Sequence, residues 1–270
     1  SNSAVWVLFE GEEKARKVEI QGRDPALDIA LLRMPEERPR AVLPAPINFS
    51  AHLEIGDTLY AIGHPFGERE VTAGWVNGLK APMTNWSFSS QVPMHPGNSG
   101  GPILRYSENG QPEVVGVNKA VFGIGLKSMS IHMRYVKRVL PRLLREKVVA
   151  HAAAGLTLED SKKIHPGFFK SRLQIDYPPP EHGVMVTGVT SGSPADEAGL
   201  AAGDFLIKAA VKGHEMLFKN TQGLLELIFF DLRPGDALAL SVKRGAQVLE
   251  KTVVLGEFTP SSMEQEQNAP

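Results

Sequence analysis

The chain has 270 residues, 42% of them hydrophobic and 22% charged, and its formal net charge is −1. This composition is typical of a globular protein and excludes a wholly disordered or collagen-like chain. A charge so close to zero favours neither nucleic acid nor an acidic membrane surface as a partner. The sequence contains no cysteine, which excludes disulfides, a thiolate nucleophile and cysteine-bound zinc. At roughly 150 residues per domain, the length predicts about two domains.

The first predicted domain covers residues 1–149 and consists mainly of short strands. Apolar runs separated by turns with glycine or proline are typical of a sandwich or barrel. The predicted strands are Val5–Phe9, Lys17–Ile20, Ile29–Arg33, Leu59–Ile62, Val71–Leu79, Trp86–Gln91, Ile103–Leu104, Val114–Val117 and Lys127–Ile131. Apolar residues then recur at i, i+3, i+4, i+7 and i+8 from Val136, which predicts an amphipathic helix over residues 133–149 with a kink at Pro141.

A second β-rich domain is predicted over residues 150–258. Its expected elements are the strands Val184–Val189, Phe205–Ala210, Ala237–Arg244 and Val248–Leu255 and a short helix over Asn220–Phe230. A polar insertion occupies Asp160–His182, and the polar segment Thr259–Pro270 is predicted to be a disordered tail. No run of about 18 apolar residues occurs, so the sequence predicts no membrane-spanning helix.

The hexapeptide Gly97–Pro102 (GNSGGP) is the most informative stretch of the sequence. Glycines around Ser99 allow the backbone angles that present its hydroxyl and let a substrate approach the main chain. Consecutive amides that curl around a serine can stabilise an oxyanion. The alternative is an ordinary glycine-rich surface turn, because a bare G-x-S-x-G pattern has little specificity.

With Pro96 before it and an apolar strand after it, this hexapeptide resembles the nucleophile loop of chymotrypsin-like serine proteases, specifically the HtrA/Deg group. Three other segments resemble the same group, and all four occur in the family's order. They are residues 24–32 (DPALDIALL), residues 61–76 (AIGHPFGEREVTAGWV) and residues 115–126 (VGVNKAVFGIGL). The resemblance extends over residues 5–258 and implies a mostly β fold, with a chymotrypsin-like double β-barrel followed by a PDZ domain.

The resemblance implies acyl-transfer chemistry. Ser99 is expected to attack a peptide carbonyl, and the amides of Gly97, Asn98 and Ser99 to hold the oxyanion. Asp28, which directly precedes an apolar run, matches the family's catalytic aspartate and is expected to orient a histidine. Asp24 is the competing carboxylate, but it precedes a proline and is predicted to lie in a turn.

The sequence departs from the family pattern in its histidines. The family places its catalytic histidine before the aspartate, whereas none of the 27 residues before Asp28 is a histidine. Either the chain is trimmed at its front, which we favour, or the protein is a degenerate protease. His95, four residues before Ser99, is the strongest candidate for a substitute base. We expect the chain as it stands to be nearly inactive and its first barrel to be incomplete, with an unprotected edge.

Residues 183–204 resemble the PDZ domains of the same group. PDZ domains bind an extended peptide by strand addition and capture its terminal carboxylate on backbone amides. The resemblance assigns peptide binding to Ala154, Gly155, Leu156, Thr157 and Leu158 in the carboxylate loop and its strand, and to Leu224, Leu225 and Ile228 on the following helix. The alternative for the leucines and the isoleucine is a place in the hydrophobic core.

As a whole, the resemblance implies an ATP-independent serine endopeptidase that cleaves misfolded or unfolded polypeptides and recognises peptide C-termini. It implies no metal or organic cofactor, no nucleic-acid partner, an extracytoplasmic location such as the bacterial periplasm, and a homotrimer for the full-length protein. Two alternatives stay open. One is an inactive protease-fold scaffold that binds peptides through its PDZ domain, and the other is a chaperone-like holdase that uses exposed apolar surface.

Overall fold

The computed structural model describes residues 4–34, 39, 42–80, 85–122, 127–163, 183–211, 213–218 and 220–259, without the side chains of Phe66 and Phe122. The chain divides into two compact units, residues 1–149 and 150–270. Residues 123–126 of the family-like segment, nearly all of the polar insertion and the predicted tail from residue 260 lie outside the described residues. Within the described ranges, no helix has the length and apolar character needed to cross a bilayer.

The first unit combines a three-stranded antiparallel sheet, in the order β1-β2-β3, with a closed six-stranded barrel, in the order β4-β5-β6-β9-β8-β7. The sheet strands are β1 (Val5–Val7), β2 (Arg16–Asp24) and β3 (Ile29–Arg33). The barrel strands are β4 (Thr58–Gly63), β5 (Glu70–Gly78), β6 (Ser87–Ser90), β7 (Pro102–Tyr106), β8 (Pro112–Phe122) and β9 (Lys127–His132), with a 3-10 turn at Pro65–Gly67. All nine predicted strands of this unit are present, Ile29–Arg33 with the predicted ends and the other eight with shifted ends. Alternating apolar residues such as Leu59 and Ala61 face the barrel core.

The first sheet stays open among the described residues, as expected for an incomplete first barrel. Within the described ranges, β1 and β3 each pair only with β2. Ile20 and Leu32 are cross-strand partners, yet they are 38% and 41% exposed. This apolar pair is therefore not part of a buried core.

Helix α1 (Met133–Leu143) links the sheet to the barrel, because it packs against β2, β3, β8 and β9. It ends earlier than the sequence predicted, and it continues through Pro141. At its C-terminal end the helix approaches β2 closely. A Cβ at Gly22 would lie 2.2 Å from the carbonyl oxygen of Leu143, so only glycine fits there.

His132 caps the N-terminus of α1 as a neutral side chain. It is buried, and its Nδ1 accepts a hydrogen bond of 3.1 Å from the backbone N–H of Arg134. A ring nitrogen that accepts a hydrogen bond carries no proton. Burial, with a smaller contribution from the charge of Arg134, lowers the pKa of His132 to about 4.

We expect the first unit to lose stability as the pH falls from about 6.5 to about 4. In this window the unfolded state binds a proton at His132 that the folded state excludes, so acid favours unfolding. Lowering the pKa from 6.5 to about 4 corresponds to about 3 kcal/mol at the acid end of the window. His132→Asn keeps a cap acceptor but does not titrate. Calorimetric melting of the first unit should therefore depend less on pH in this variant, and equal pH dependence would contradict the assignment.

The second unit is built on a six-stranded sheet with the main order β11-β12-β13-β15-β16, and β14 pairs with β13. The strands are β10 (Ala152–Ala153), β11 (Leu156–Asp160), β12 (Val184–Val189), β13 (Phe205–Val211), β14 (His214–Leu217), β15 (Ala237–Arg244), β16 (Gln247–Val254) and β17 (Gly256–Glu257), and β10 pairs with β17. The helices are α2 (Pro194–Glu197) and α3 (Thr221–Glu226). A 3-10 turn at Ser161–Lys163 comes directly after β11, and a π-helical turn at Leu227–Asp231 comes directly after α3. The core is apolar, with Val184, Leu206 and Leu240 fully buried between the sheet and α3.

Candidate functional site

The loop between β6 and β7 depends on glycine at Gly97. This residue has φ +111°, and a Cβ there would lie 2.6 Å from the carbonyl oxygen of His64. The carbonyl of Gly97 also accepts a 3.2 Å hydrogen bond from the backbone N–H of His64. A side chain at this position would therefore break the contact that holds the loop against the end of β4.

The hydroxyl of Ser99 lies on the surface of this loop. Its Oγ donates a 3.1 Å hydrogen bond to the carbonyl oxygen of Lys119, where β8 bulges. The loop is fastened to the same strand by main-chain bonds, because Gly100 N–H donates to Asn118 and the amide of Asn118 donates to the carbonyl of Gly101. The serine is thus held in a defined position by β8 rather than by its own loop alone.

Two amides beside the hydroxyl are free. The N–H groups of Gly97 and Ser99 donate to no acceptor among the described residues, whereas the N–H of Asn98 donates to the carbonyl of His95 at 3.0 Å. The side chain of Asn98 is buried under the loop. Asn98 therefore does not fit the oxyanion role that the sequence assigned to it, because its amide is already used in the turn.

The two candidate carboxylates have different environments. Asp24 is fully buried, and its Oδ1 accepts hydrogen bonds from the amides of Ala26 and Leu27, so it stabilises the β2–β3 turn. Asp28 ends the same turn with φ +62°, and its side chain is exposed. No described residue pairs with the Asp28 carboxylate, which leaves it open to a partner.

Among the described residues, no hydrogen bond joins a histidine to Ser99 or to Asp28. The ring of His95 is exposed, and no described hydrogen bond joins Ser99 to an imidazole. His132 is occupied by the helix cap. Within the described residues, the structure therefore has a serine and two amides without acceptors on one loop, and an aspartate without a partner on a separate hairpin.

In the second unit, the loop predicted to bind a carboxylate contains Gly155. This residue has φ +74°, and a Cβ there would lie 2.3 Å from the Cβ of Ser193. Two carbonyls of the loop accept hydrogen bonds from other parts of the unit. The carbonyl of Ala154 accepts one from Ala195 N–H at 2.9 Å, and that of Gly155 accepts one from Thr190 N–H at 3.0 Å. The N–H groups of Ala154 and Gly155 donate to no described acceptor, so they are available to a carboxylate.

Strand β11 and helix α3 carry most of the residues that the sequence assigned to peptide binding. β11 is an edge strand of its sheet in the described part, and α3 packs against it. Leu156 and Leu158 are half-buried and Thr157 is exposed, and Leu225 is half-buried on α3. Leu224 is fully buried in the core, so its assignment to the peptide pocket is wrong. Ile228 is also in the core, although 6% of it stays exposed.

Sequence reasoning missed several supporting residues. Gly63 gives Asn98 its space, because a Cβ there would lie 2.4 Å from Asn98 Oδ1. The carbonyl of Lys119 accepts the hydrogen bond of the Ser99 hydroxyl, and Asp160 on β11 accepts hydrogen bonds from Thr221 on α3. Gly63 could have been noticed in the sequence, because it lies in the AIGHPFG segment. The Lys119–Ser99 and Asp160–Thr221 contacts join residues far apart in the chain and leave no local pattern.

Sequence comparisons identify both units. The profile of the trypsin-like peptidase domain matches residues 2–117, and that of the PDZ domain matches residues 153–255. The serine protease Do-like HtrA of Bacillus subtilis is 28% identical over 93% of this chain and 56% of the relative. A protein of Chlamydia pneumoniae named "Probable periplasmic serine endoprotease DegP-like" is 31% identical over 87% of this chain and 46% of the relative. The chain spans about half the length of these curated relatives.

Solved structures share the fold. The HtrA-type protease AlgW with a decapeptide has a TM-score of 0.71 and 21% identity, over 95% of this chain and 76% of that one. The serine endoprotease from Yersinia pestis has a TM-score of 0.61 and 21% identity, over 95% of this chain and 80% of that one. These likenesses confirm the predicted mostly β architecture, with a trypsin-like unit followed by a PDZ domain.

Proposed function

The chain belongs to the HtrA/Deg family of serine proteases, and on this basis we propose that residues 1–149 hold a peptide-cleaving centre and residues 150–258 a peptide-binding groove. One observation carries the first half of the proposal. Ser99 is exposed, and on the same loop the amides of Gly97 and of Ser99 itself donate to no described acceptor. This is the arrangement that acyl transfer requires.

In the proposed reaction, Ser99 Oγ leaves the carbonyl of Lys119 and attacks the carbonyl carbon of an extended polypeptide. The amides of Gly97 and Ser99 donate to the oxyanion that forms. A base takes the hydroxyl proton and later gives it to the leaving amine. If the base is the imidazole of a histidine, the exposed carboxylate of Asp28 accepts the N–H of its second ring nitrogen and stabilises the charged form of the ring.

We further propose that the base comes from outside these 270 residues. The first histidine of the chain is His52, after Asp28, and the family order places the base before the aspartate. Turnover by the chain alone is then several orders of magnitude below that of a complete triad. Added imidazole tests this step, because a small neutral base can enter the space that a histidine would fill.

Cleavage of an unfolded casein substrate by the chain should be barely measurable without imidazole and should rise with imidazole concentration. The competing function is an inactive peptide-binding scaffold, favoured by the bond that holds the Ser99 hydroxyl on a main-chain carbonyl. No cleavage at any imidazole concentration, with peptide binding intact, would support the scaffold instead.

The second unit is proposed to bind the C-terminus of an extended peptide. Its carboxylate would accept hydrogen bonds from the amides of Ala154 and Gly155, and its backbone would pair with the edge of β11. The side chain of its last residue would lie against Leu225 and the exposed part of Ile228. The AlgW structures named with a decapeptide and a tripeptide support peptide binding by this fold.

Gly155→Ala should weaken binding of a peptide with a free C-terminus at least about tenfold, because its Cβ would push the loop away from Ser193. Gly192→Ala is the matched control. Gly192 has a similar φ of +71°, but a Cβ added there would meet nothing within 4 Å. Fluorescence anisotropy measures the affinity of both variants for a peptide with a free C-terminus and for its amidated form. Equal affinity of the two variants for the free peptide would contradict the carboxylate-loop assignment.

The wider role follows the family. We propose that the full-length protein cleaves misfolded polypeptides outside the cytoplasm and assembles as a homotrimer. Relatives named as periplasmic endoproteases support this location. Fractionation of the source cells, followed by immunoblotting and size-exclusion chromatography of the full-length protein, tests location and assembly together.

A further inference from the structure

Asp160 connects β11 and α3, the two walls of the proposed groove, at the end opposite the carboxylate loop. It is the last residue of β11, and its Oδ1 accepts hydrogen bonds from the backbone N–H of Thr221 at 2.5 Å and from Thr221 Oγ1 at 2.6 Å. Thr221 is the first residue of α3. The side chain of Asp160 therefore reaches from the strand to the helix, across the space between them.

The Asp160–Thr221 bridge is held by further contacts. Lys163 Nζ lies 2.8 Å from Asp160 Oδ2, and the side chain of Asp160 is 19% exposed. Burial alone raises the pKa of Asp160, but the hydrogen bonds from Lys163 and Thr221 outweigh it and lower the pKa to about 2. The carboxylate is therefore ionised at neutral pH, and charge-assisted hydrogen bonds of this kind are among the stronger ones.

The bridge also orients the helix. Thr221 and Leu225 lie four residues apart and share one face of α3. Because the bridge turns Thr221 towards β11, it turns Leu225 towards β11 as well. On the strand, Leu156, Leu158 and Asp160 alternate with exposed residues and share the half-buried side. The two apolar walls therefore end where the bridge crosses between them.

We propose that the Asp160–Thr221 bridge is a positioning device that fixes the separation of the groove walls and limits the groove to about the last four residues of a bound peptide. From Leu156 to Asp160 the strand advances about 13 Å, at roughly 3.3 Å per residue. A ligand that starts at the amides of Ala154 and Gly155 reaches the bridge within that length, and residues further from its C-terminus must leave the groove. This inference rests on the proposed peptide binding by the second unit.

A nested series of alanine peptides tests the length limit. Each peptide ends in valine, leucine or phenylalanine with a free carboxylate and grows by one alanine at a time. The 270-residue protein should gain affinity up to about four residues and then no more. Asp160→Ala should bind the short peptides about tenfold more weakly and should continue to gain affinity with longer ones. Thr221→Val, which keeps the amide bond to Asp160 but loses the hydroxyl bond, should fall between the two.

Asp236→Ala is the matched control. Asp236 Oδ2 accepts a 2.8 Å hydrogen bond from the amide of Arg233 in a turn of the same unit. This variant loses a comparable hydrogen bond, but its length profile should match the wild type. A folded Asp160→Ala protein with the wild-type length profile would overturn the bridge proposal. If Asp160→Ala does not fold, a wild-type profile in Thr221→Val decides against it. Wild-type protein that binds free and amidated peptides equally would overturn peptide capture itself, and the bridge proposal with it.

Discussion

Ser99→Ala should slow the covalent labelling of the protein by a fluorophosphonate, in the presence of imidazole, at least about 10³-fold. In the labelling reaction Oγ forms a bond to phosphorus, fluoride leaves, and the base removes the hydroxyl proton. Alanine removes the attacking oxygen while leaving the loop bonds of Gly97, Gly100 and Asn118 unchanged, since all of them are main-chain bonds. Intact-mass spectrometry and peptide mapping measure the extent and the position of labelling.

Ser107→Ala is the control for this experiment. Ser107 also carries a hydroxyl in a hydrogen-bonded turn of the first unit, where its Oγ accepts a 3.1 Å hydrogen bond from the amide of Gln111. It lies outside the Gly97–Pro102 loop, in the turn between β7 and β8, so its replacement should leave labelling unchanged. Labelling that survives in Ser99→Ala at the wild-type rate would remove Ser99 from the role of nucleophile.

Gly97→Ala should slow the same imidazole-dependent labelling about 10²- to 10³-fold, the usual cost of losing one oxyanion donor. A methyl group at this position meets the main chain of His64, which cannot move aside as a flexible side chain would. The loop must therefore shift, and the amide of Gly97 moves with it. Labelling rates and the melting temperature of the first unit, measured on the same sample, separate loss of the site from loss of the fold.

Gly100→Ala provides the comparison at a second positive φ. Gly100 has φ +81°, but nothing lies within 4 Å of its added Cβ. The variant should lose about 1–2 kcal/mol of stability through backbone strain and keep a labelling rate within about tenfold of the wild type. If both glycine variants slow labelling equally, general strain in the loop explains the effect, and the Gly97 amide has no special part in it.

Much of the fold was predictable from local patterns. The strands Ile29–Arg33, Val184–Val189 and Ala237–Arg244 occur with the predicted ends, because alternating apolar residues and flanking turns act over a few neighbouring residues. The helix after residue 132 was predicted too long, since its apolar period continues beyond Leu143 although the chain turns away. Periodicity shows which face is apolar but not where tertiary contacts end a helix.

The candidate sites were predictable to a smaller extent. Leu224 and Leu225 are adjacent and chemically identical, yet one is fully buried in the core and the other is half-buried beside the groove. The rotation of α3 decides between them, and the bond from Asp160 to Thr221, 61 residues away in the chain, fixes that rotation. No local signal in the sequence carries information about a contact of this kind.

The sequence by itself determined the two-domain β architecture and the family, and it predicted the glycine-flanked Ser99 as the nucleophile, because each depends on short motifs whose residue types are required by local backbone geometry. Only the tertiary structure decided which amides are free. Asn98 donates to His95, while Gly97 and Ser99 do not donate to any described residue. Whether an N–H is free depends on the turn that the loop adopts, and contacts with the distant residues His64 and Asn118 hold the loop in that turn.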